Sequence, residues 1–317
     1  MKNQLIIVDG QSSVGKSTTS KSLYEQLARQ TDCHWLHEEC EKHPIRYKEF
    51  EAGSLHTAEG MESNRQDMLR KWAGFADEIG KSNRICVTEG CLLHSIDRYL
   101  LDSVWDAAQI QAYFAQIIEI IAPLKPLVVL LWRPDLRPGL EKAFRARGDG
   151  WRKLILQPPE PYGYFKTHTY TGDDSIFAAL MYSQAEMLKV FDTLACDKVQ
   201  VDTSDEAWDS YVRELTETAG YAYQPEETPY HEIDRYCGSY RSEDGEPWYI
   251  GYDEQAKLLY TWLFWPYMPM KYKANDCFEL ISFPVRLQFS FAGDSASFAV
   301  SGNYDWNHNG QVFYRTE

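Results

Sequence analysis

The sequence predicts an α/β protein in which a doubly wound parallel sheet of five strands is followed by a small antiparallel β-domain. Three observations predict it. A short apolar run, Leu5 to Val8, leads into G-x-x-x-x-G-K-S from Gly10 to Ser17, and Leu23, Leu27 and Ala28 follow at helical spacing. Strand-like and helix-like segments then alternate to about residue 220, which implies a parallel sheet with helices on both faces. Near residue 222 the texture changes to short aromatic runs separated by Gly, Pro, Asn and Asp.

Each element has its own signal. Leu5–Val8 has the length and composition of a buried parallel strand. HWLHEE makes a second strand, from Cys33 to about Glu38. Residues 57–80 are polar and helical, marked by Met61, Met68, Leu69, Trp72 and Ile79. RICVTEG, Arg84–Gly90, is the third strand. In the helix that follows, Tyr113, Ile117, Ile118 and Ile121 share a face, and Pro123 stops it. PLVVLLW, Pro126–Trp132, reads as a fully buried fourth strand. A basic helical segment and a polar loop containing PPEPYGY lead to a helix over 174–195. KVQVD is the fifth strand and EAWDSYVRELTETAG the last helix. YQPEETPYHE, with two prolines and three acids, is a linker by composition. These signals divide the chain into 1–222 and 232–317. In the second part about seven runs, several alternating apolar and polar, predict a small sandwich or barrel.

The glycine motif carries the chemistry. Gly10 and Gly15 let consecutive amides turn inward on a polyphosphate, and the positive end of the new helix points at the same place. Gln11, Ser12, Ser13, Val14 and Thr18 complete the phosphate-binding loop, Lys16 reaches the β- and γ-phosphates, and Ser17 offers its hydroxyl to Mg²⁺. Mg²⁺-ATP is therefore the expected ligand, although the motif itself does not separate ATP from GTP.

Composition narrows the partners. A formal net charge of −15 argues against a nucleic-acid backbone, which would want a basic face. Seven scattered cysteines, odd in number and without a C-x-x-C pair, read as reduced thiols of a cytoplasmic protein and not as a disulfide frame or zinc site. No apolar run approaches membrane-spanning length, and no secretory leader precedes the first strand. A homodimer is compatible with all of this.

Phosphate-binding loops serve motors, switches, transporters and kinases. An N-K-x-D base-reading motif and an L-S-G-G-Q signature are both absent, and the third strand ends Thr88-Glu89-Gly90 where a motor would show paired acids. From Arg133 to Lys153 seven basic residues, Arg145 and Arg147 among them, stand against three acids. A cationic lid over a phosphoryl group in transfer would have this composition, because charge stabilisation is most of that catalysis.

At this point the residues show a likeness. The loop order and FRARGDGW after strand four resemble the nucleoside and nucleotide kinase-like branch of P-loop proteins over residues 1 to about 220. GQSSVGKS is similar to the loop of chloramphenicol phosphotransferases, and HEECEKHP with ICVTEGCLLHSIDRY resembles deoxynucleoside kinases. The resemblance implies a P-loop kinase sheet. It also implies that an acid at the end of strand two takes the acceptor's proton, a role that falls on Glu38 with Glu39 as the alternative. Glu89 matches the strand-three glutamate. At Gly90 the sequence departs from nucleoside kinases, which place arginine there.

Other residues keep two readings each. Asp9 either holds a water on Mg²⁺ or caps the turn. Glu89 either serves Mg²⁺ or an acceptor hydrogen bond, or is a buried acid paired to an arginine. Arg65, with Asn64, Gln66 and Arg70, lines the acceptor pocket or an exposed helix face. Asp97-Arg98 reads as a surface helix pair, and Asp202 as the rest of an adenine edge or a helix cap. The expectation that results is an ATP-dependent kinase acting on a hydroxyl of a nucleoside-like or antibiotic-like small molecule. Its rival is a nucleotide-dependent sensor whose β-domain recruits a partner.

Overall fold

The structure, a computed structural model, describes residues 2–45, 53–225, 233–293, 295–302 and 308–316. It divides into two units, one of Met1–Glu38, Lys42–Glu141 and Leu154–Tyr223 and one of Glu39–Glu41, Lys142–Lys153 and Gln224–Glu317. The main division falls between Tyr223 and Gln224. Two stretches from within the first 222 residues nevertheless group with the second unit. Most of the expected linker, 226–232, lies outside the described residues.

In the first unit the described strands are β1 (Leu5–Gly10), β2 (Cys33–Leu36), β3 (Ile85–Glu89), β4 (Leu127–Trp132) and β5 (Asp197–Asp202). All pair in parallel, in the order β2-β3-β1-β4-β5. The three central strands are buried almost throughout, which is why they read as unbroken apolar runs. The edge strands β2 and β5 tolerate polar residues because they are only partly covered. The second strand stops at Leu36, two residues short of Glu38.

The helices are α1 (Lys16–Ala28), α2 (Ala58–Lys81), α3 (Ile96–Asp102), α4 (Ala107–Ile121), α5 (Arg137–Arg147), α6 (Asp149–Ile155), α7 (Asp173–Thr193) and α8 (Trp208–Thr218). Leu5 and Ile7 of β1, Cys86 of β3 and Val128 and Leu130 of β4 join one apolar core with α2, α3, α4 and α7. Alternation along a strand turns Ile6 and Val8 to the other face, where α1 packs with α8. On α2 the buried stripe is Met61, Asn64, Met68, Trp72, Phe75 and Ile79, the spacing of a single helix face. The start of α4 is fixed by a capping box between Asp106 and Gln109. A short 3₁₀ turn over Ala122–Leu124 ends it, with Pro123 inside. Among the described residues no helix is long and apolar enough to cross a membrane.

In the second unit the described strands are β6 (Gly238–Ser242), β7 (Pro247–Asp253), β8 (Leu258–Trp262), β9 (Met268–Ala274), β10 (Cys277–Leu280), β11 (Val285–Ala292), β12 (Ser295–Gly302) and β13 (Val312–Arg315). Each pairs antiparallel with its sequence neighbours, and β13 closes onto β6. The result is an up-and-down barrel with no free edge. Inward residues such as Tyr240, Ile250, Leu287, Phe289, Phe298 and Phe313 fill it. Seven of these strands match the seven aromatic runs. The eighth, β9, was hidden by Pro266 and Pro269, yet Met268 and Met270 are buried and alternate with Pro269 and Lys271.

The basic segment after β4 is two helices, α5 and α6, and most of it belongs to the second unit. There Tyr267 donates its backbone N–H to the Ala146 carbonyl at 3.2 Å. The Arg147 guanidinium lies 4.4 Å from the Trp151 ring and 4.1 Å from that of Trp265.

Candidate functional site

The glycine loop Gly10–Ser17 joins β1 to α1, at the carboxyl end of the central strand. Its conformation depends on glycine at two places. Gly10 has φ +143°, and a Cβ there would stand 2.2 Å from the Leu131 carbonyl oxygen. Gly15 has φ +97°, and a Cβ would enter the Trp208 ring at 2.5 Å. Between them Ser13 adopts φ 68°. Thr203, just past β5, donates its hydroxyl to the Val14 carbonyl at 3.1 Å and so ties the loop to the next strand end. Lys16 is buried, with Nζ 3.1 Å from the Gln11 carbonyl. Ser17 and Thr18 follow on the first turn of α1, both half-buried.

The acids near this loop do different work. Asp9 is fully buried, and its carboxylate accepts from the backbone N–H groups of Gly10, Leu92, Leu93 and His94, each at 2.8 Å. It fastens the segment after β3 to the start of the loop. Of the two roles expected for it, these bonds are those of a turn cap, and four amides match the lone pairs of its carboxylate. Glu89 ends β3 beside Val8. Its Oε1 is 3.2 Å from the Ser17 hydroxyl, 3.3 Å from Nε2 of His37 and 3.4 Å from the Glu38 amide nitrogen. Its Oε2 is buried without a hydrogen-bond partner among the described residues. Burial pushes the Glu89 carboxyl up to about 7, against the lowering pull of Lys16 and of hydrogen bonds from Glu38 and Ser17. A buried acid paired to arginine was one expectation for Glu89, but its described neighbours are a hydroxyl, an imidazole and an amide.

Glu38 lies past the end of β2 and is half-buried. A Cβ at Gly90 would fall 2.2 Å from Glu38 Oε2. The glycine that departs from the kinase pattern thus makes room for this carboxylate. Glu38, Glu89 and Ser17 are brought together. Because β2 stops at Leu36, strand alternation does not decide between Glu38 and Glu39; the latter groups with the second unit.

The remaining candidates are placed elsewhere. Arg65 bonds to Glu62 on its own helix and to Gln116 of α4 at 2.6 Å, so it joins two helices where an acceptor contact was expected. Arg147, expected in a catalytic lid, has its guanidinium between two indoles of the second unit, a packing role. Arg145 is exposed and belongs to that unit too. Arg133, the first basic residue of the segment, is buried instead of poised in a lid. It donates to the Thr203 hydroxyl at 3.1 Å and pairs with Glu206 at 3.3 Å.

Sequence reasoning missed three residues. His37, the neighbour of Glu38, is buried against Glu89. Trp208 lies against Gly15 from the start of α8. Asp97, read as half of a surface pair, accepts from the Gln11 side chain of the loop and from Ser183 of α7. Only its place in a D-R dipeptide drew attention to it, and that pattern carries no depth information. Asn64, buried on α2, has both side-chain polar atoms unpartnered among the described residues.

No protein-family model matches the chain, and no curated protein matches it in sequence. Solved structures do resemble it. The YorR protein of Bacillus subtilis, in complex with phosphorylated GDP, is 16% identical with a TM-score of 0.37, over 68% of this chain and 95% of that one. A deoxyadenosine kinase from M. mycoides with bound dATP is 15% identical with a TM-score of 0.41, over 68% and 99%. An unliganded sugar kinase from Janibacter is 14% identical with a TM-score of 0.38, over 70% and 99%.

Proposed function

We propose that the chain is a kinase that transfers the γ-phosphoryl group of ATP to a hydroxyl of a small molecule. The observation that carries this reading is the meeting of the phosphate-binding loop with two carboxylates. Ser17 is 3.2 Å from Glu89, and the carboxylate of Glu38 stands over Gly90 beside it.

The roles follow from chemistry. Loop amides and Lys16 hold the phosphates and offset their charge. The acceptor oxygen bonds to the γ-phosphorus as the bond to the β–γ bridging oxygen breaks and ADP leaves. The acceptor's proton passes to Glu38, which is half-buried. Glu89 and Ser17 fit a divalent cation, because one Glu89 oxygen accepts from the Ser17 hydroxyl and the other is buried without a hydrogen-bond partner among the described residues. Mg²⁺ bound there would neutralise phosphate charge. The His37 ring nitrogen Nε2 lies 3.3 Å from the Glu89 oxygen that accepts from Ser17. The acceptor remains a class, nucleoside-like or antibiotic-like.

The test is ADP release from purified protein with ATP and Mg²⁺, with and without pools of nucleosides and aminoalcohol antibiotics. Stimulation by one pool, lost in Lys16→Ala with the melting temperature kept, is expected. Turnover indifferent to every acceptor would favour the sensor reading. Normal turnover in Lys16→Ala would remove the loop from the reaction.

A further inference from the structure

Gln11, the second residue of the loop, is fully buried and contributes three contacts to it. Its carbonyl accepts from Lys16 at 3.1 Å, its Oε1 faces the Ser12 amide nitrogen at 3.4 Å, and its Nε2 donates to Asp97 Oδ1. The same Asp97 oxygen accepts from Ser183 on α7. The other oxygen, Oδ2, is 4.0 Å from Nδ1 of His94. One carboxylate therefore joins the loop, α3 and α7. The segment before it is fastened to the start of the same loop: the His94 amide donates to Asp9.

We propose that Asp97 is a positioning residue of the phosphate-binding loop, acting through Gln11 to keep Lys16 and the loop amides arranged for a polyphosphate. A carboxylate suits this better than an amide. One oxygen takes two donors at once, and a charged acceptor strengthens both bonds. Burial pushes the Asp97 carboxyl up to about 6, against the lowering pull of its bonds to Ser183 and Gln11 and of Lys16, while Asp9 nearby adds to the rise. Without Asp97, the Gln11 side chain would be a buried amide short of a partner, and such a group relaxes by moving. The loop would move with it, since Gln11 is the residue whose carbonyl holds Lys16 in the nucleotide-free chain.

The test is a double-mutant cycle read by nucleotide affinity. Gln11→Ala, Asp97→Ala and the double variant are titrated with a fluorescent ATP analogue, each beside a thermal melt. Each single change is expected to weaken binding about tenfold, and the double change about as much as either alone. Asp97→Asn, which keeps an acceptor oxygen, should recover part of the loss. Ser183→Ala should lower the melting temperature and leave affinity within about twofold. Losses that multiply in the double variant would overturn the proposal, as would unchanged affinity in Asp97→Ala. If Asp97→Ala does not fold, the cycle is run with Asp97→Asn, and additive losses there overturn it equally. The proposal rests on the nucleotide-binding reading of the loop. Failure of that reading would show as a wild-type chain that does not bind the analogue, whereas failure of this proposal leaves wild-type binding intact.

Discussion

Glu38 and Glu89 face the same loop but should respond to change differently. Glu38→Gln keeps size and hydrogen-bonding reach but cannot accept a proton. A general base is worth about 10²–10⁴ in rate, so kcat should fall by that order with little change in ATP affinity. Glu39→Gln should do much less; a large loss from Glu39→Gln alone would reassign the base. Gly90→Ala tests the same point from the backbone. A methyl there meets the Glu38 carboxylate at 2.2 Å, and that flexible group must move aside. The expected result is a fall in kcat with a small loss of stability, about 1 kcal/mol for alanine at positive φ. Glu89 supplies a pH prediction. Its folded value, about 7, lies above the ordinary carboxylate range, so the folded chain binds the proton more tightly than the unfolded one. Its contribution to stability is complete below the unfolded value and is lost as pH rises through 7. The shift corresponds to ~3 kcal/mol at most. In the nucleotide-free protein, Glu89→Gln should therefore raise the melting temperature at pH 8 more than at pH 5. An equal change at both pH values would show that the carboxyl is ionised throughout.

Among the elements, α5 and α6 depart most from expectation. Their basic composition was legible as charge, but not which side chains are covered. Arg147 stacks between Trp151 and Trp265, and Arg152 lies 4.9 Å from the Phe144 ring. A guanidinium on an indole face contributes roughly 0.5–2 kcal/mol, by packing as much as by charge. Trp265→Ala should accordingly speed amide hydrogen exchange over residues 142–153 and leave exchange in α2 and α4 unchanged. Unchanged exchange over 142–153 would mean that the stacking contributes nothing. By contrast, α2 and α4 were legible almost residue by residue. Their buried stripes repeat at three and four, and Pro123 and the Asp106–Gln109 cap mark the ends. The strand β9 escaped notice because two prolines interrupt the alternation that reveals a strand.

For the whole molecule, the division into units changes what a truncation should do. A chain ending at Tyr223 keeps the sheet, the loop and its supports Asp9, Asp97 and Thr203, all within the first unit. It removes Trp265 and Tyr267, the barrel residues on which 142–153 pack. The truncated protein should bind ATP with near-normal affinity while becoming open to proteolysis between Lys142 and Lys153. Loss of ATP binding would show that the sheet domain is not self-sufficient; protection of 142–153 would show that those helices hold without the barrel.

By itself the sequence determined the parallel sheet, the antiparallel second domain and the place of the glycine loop between β1 and α1. Each of these is written in local terms: periods of two and 3.6, glycines where φ is positive, apolar runs as long as a buried strand. What only the tertiary structure decided is which of several similar side chains faces the loop. Asp9, Glu38 and Glu89 are carboxylates at or near strand ends and Asp97 is one on α3, and nothing local ranks the four. The fold gives Asp9 four backbone amides, bonds one Glu89 oxygen to Ser17 and buries the other without a partner among the described residues, sets Glu38 over a glycine and turns Asp97 inward onto Gln11. Those differences come from contacts between residues up to 86 positions apart, as for Gln11 and Asp97, and a local pattern does not encode such contacts.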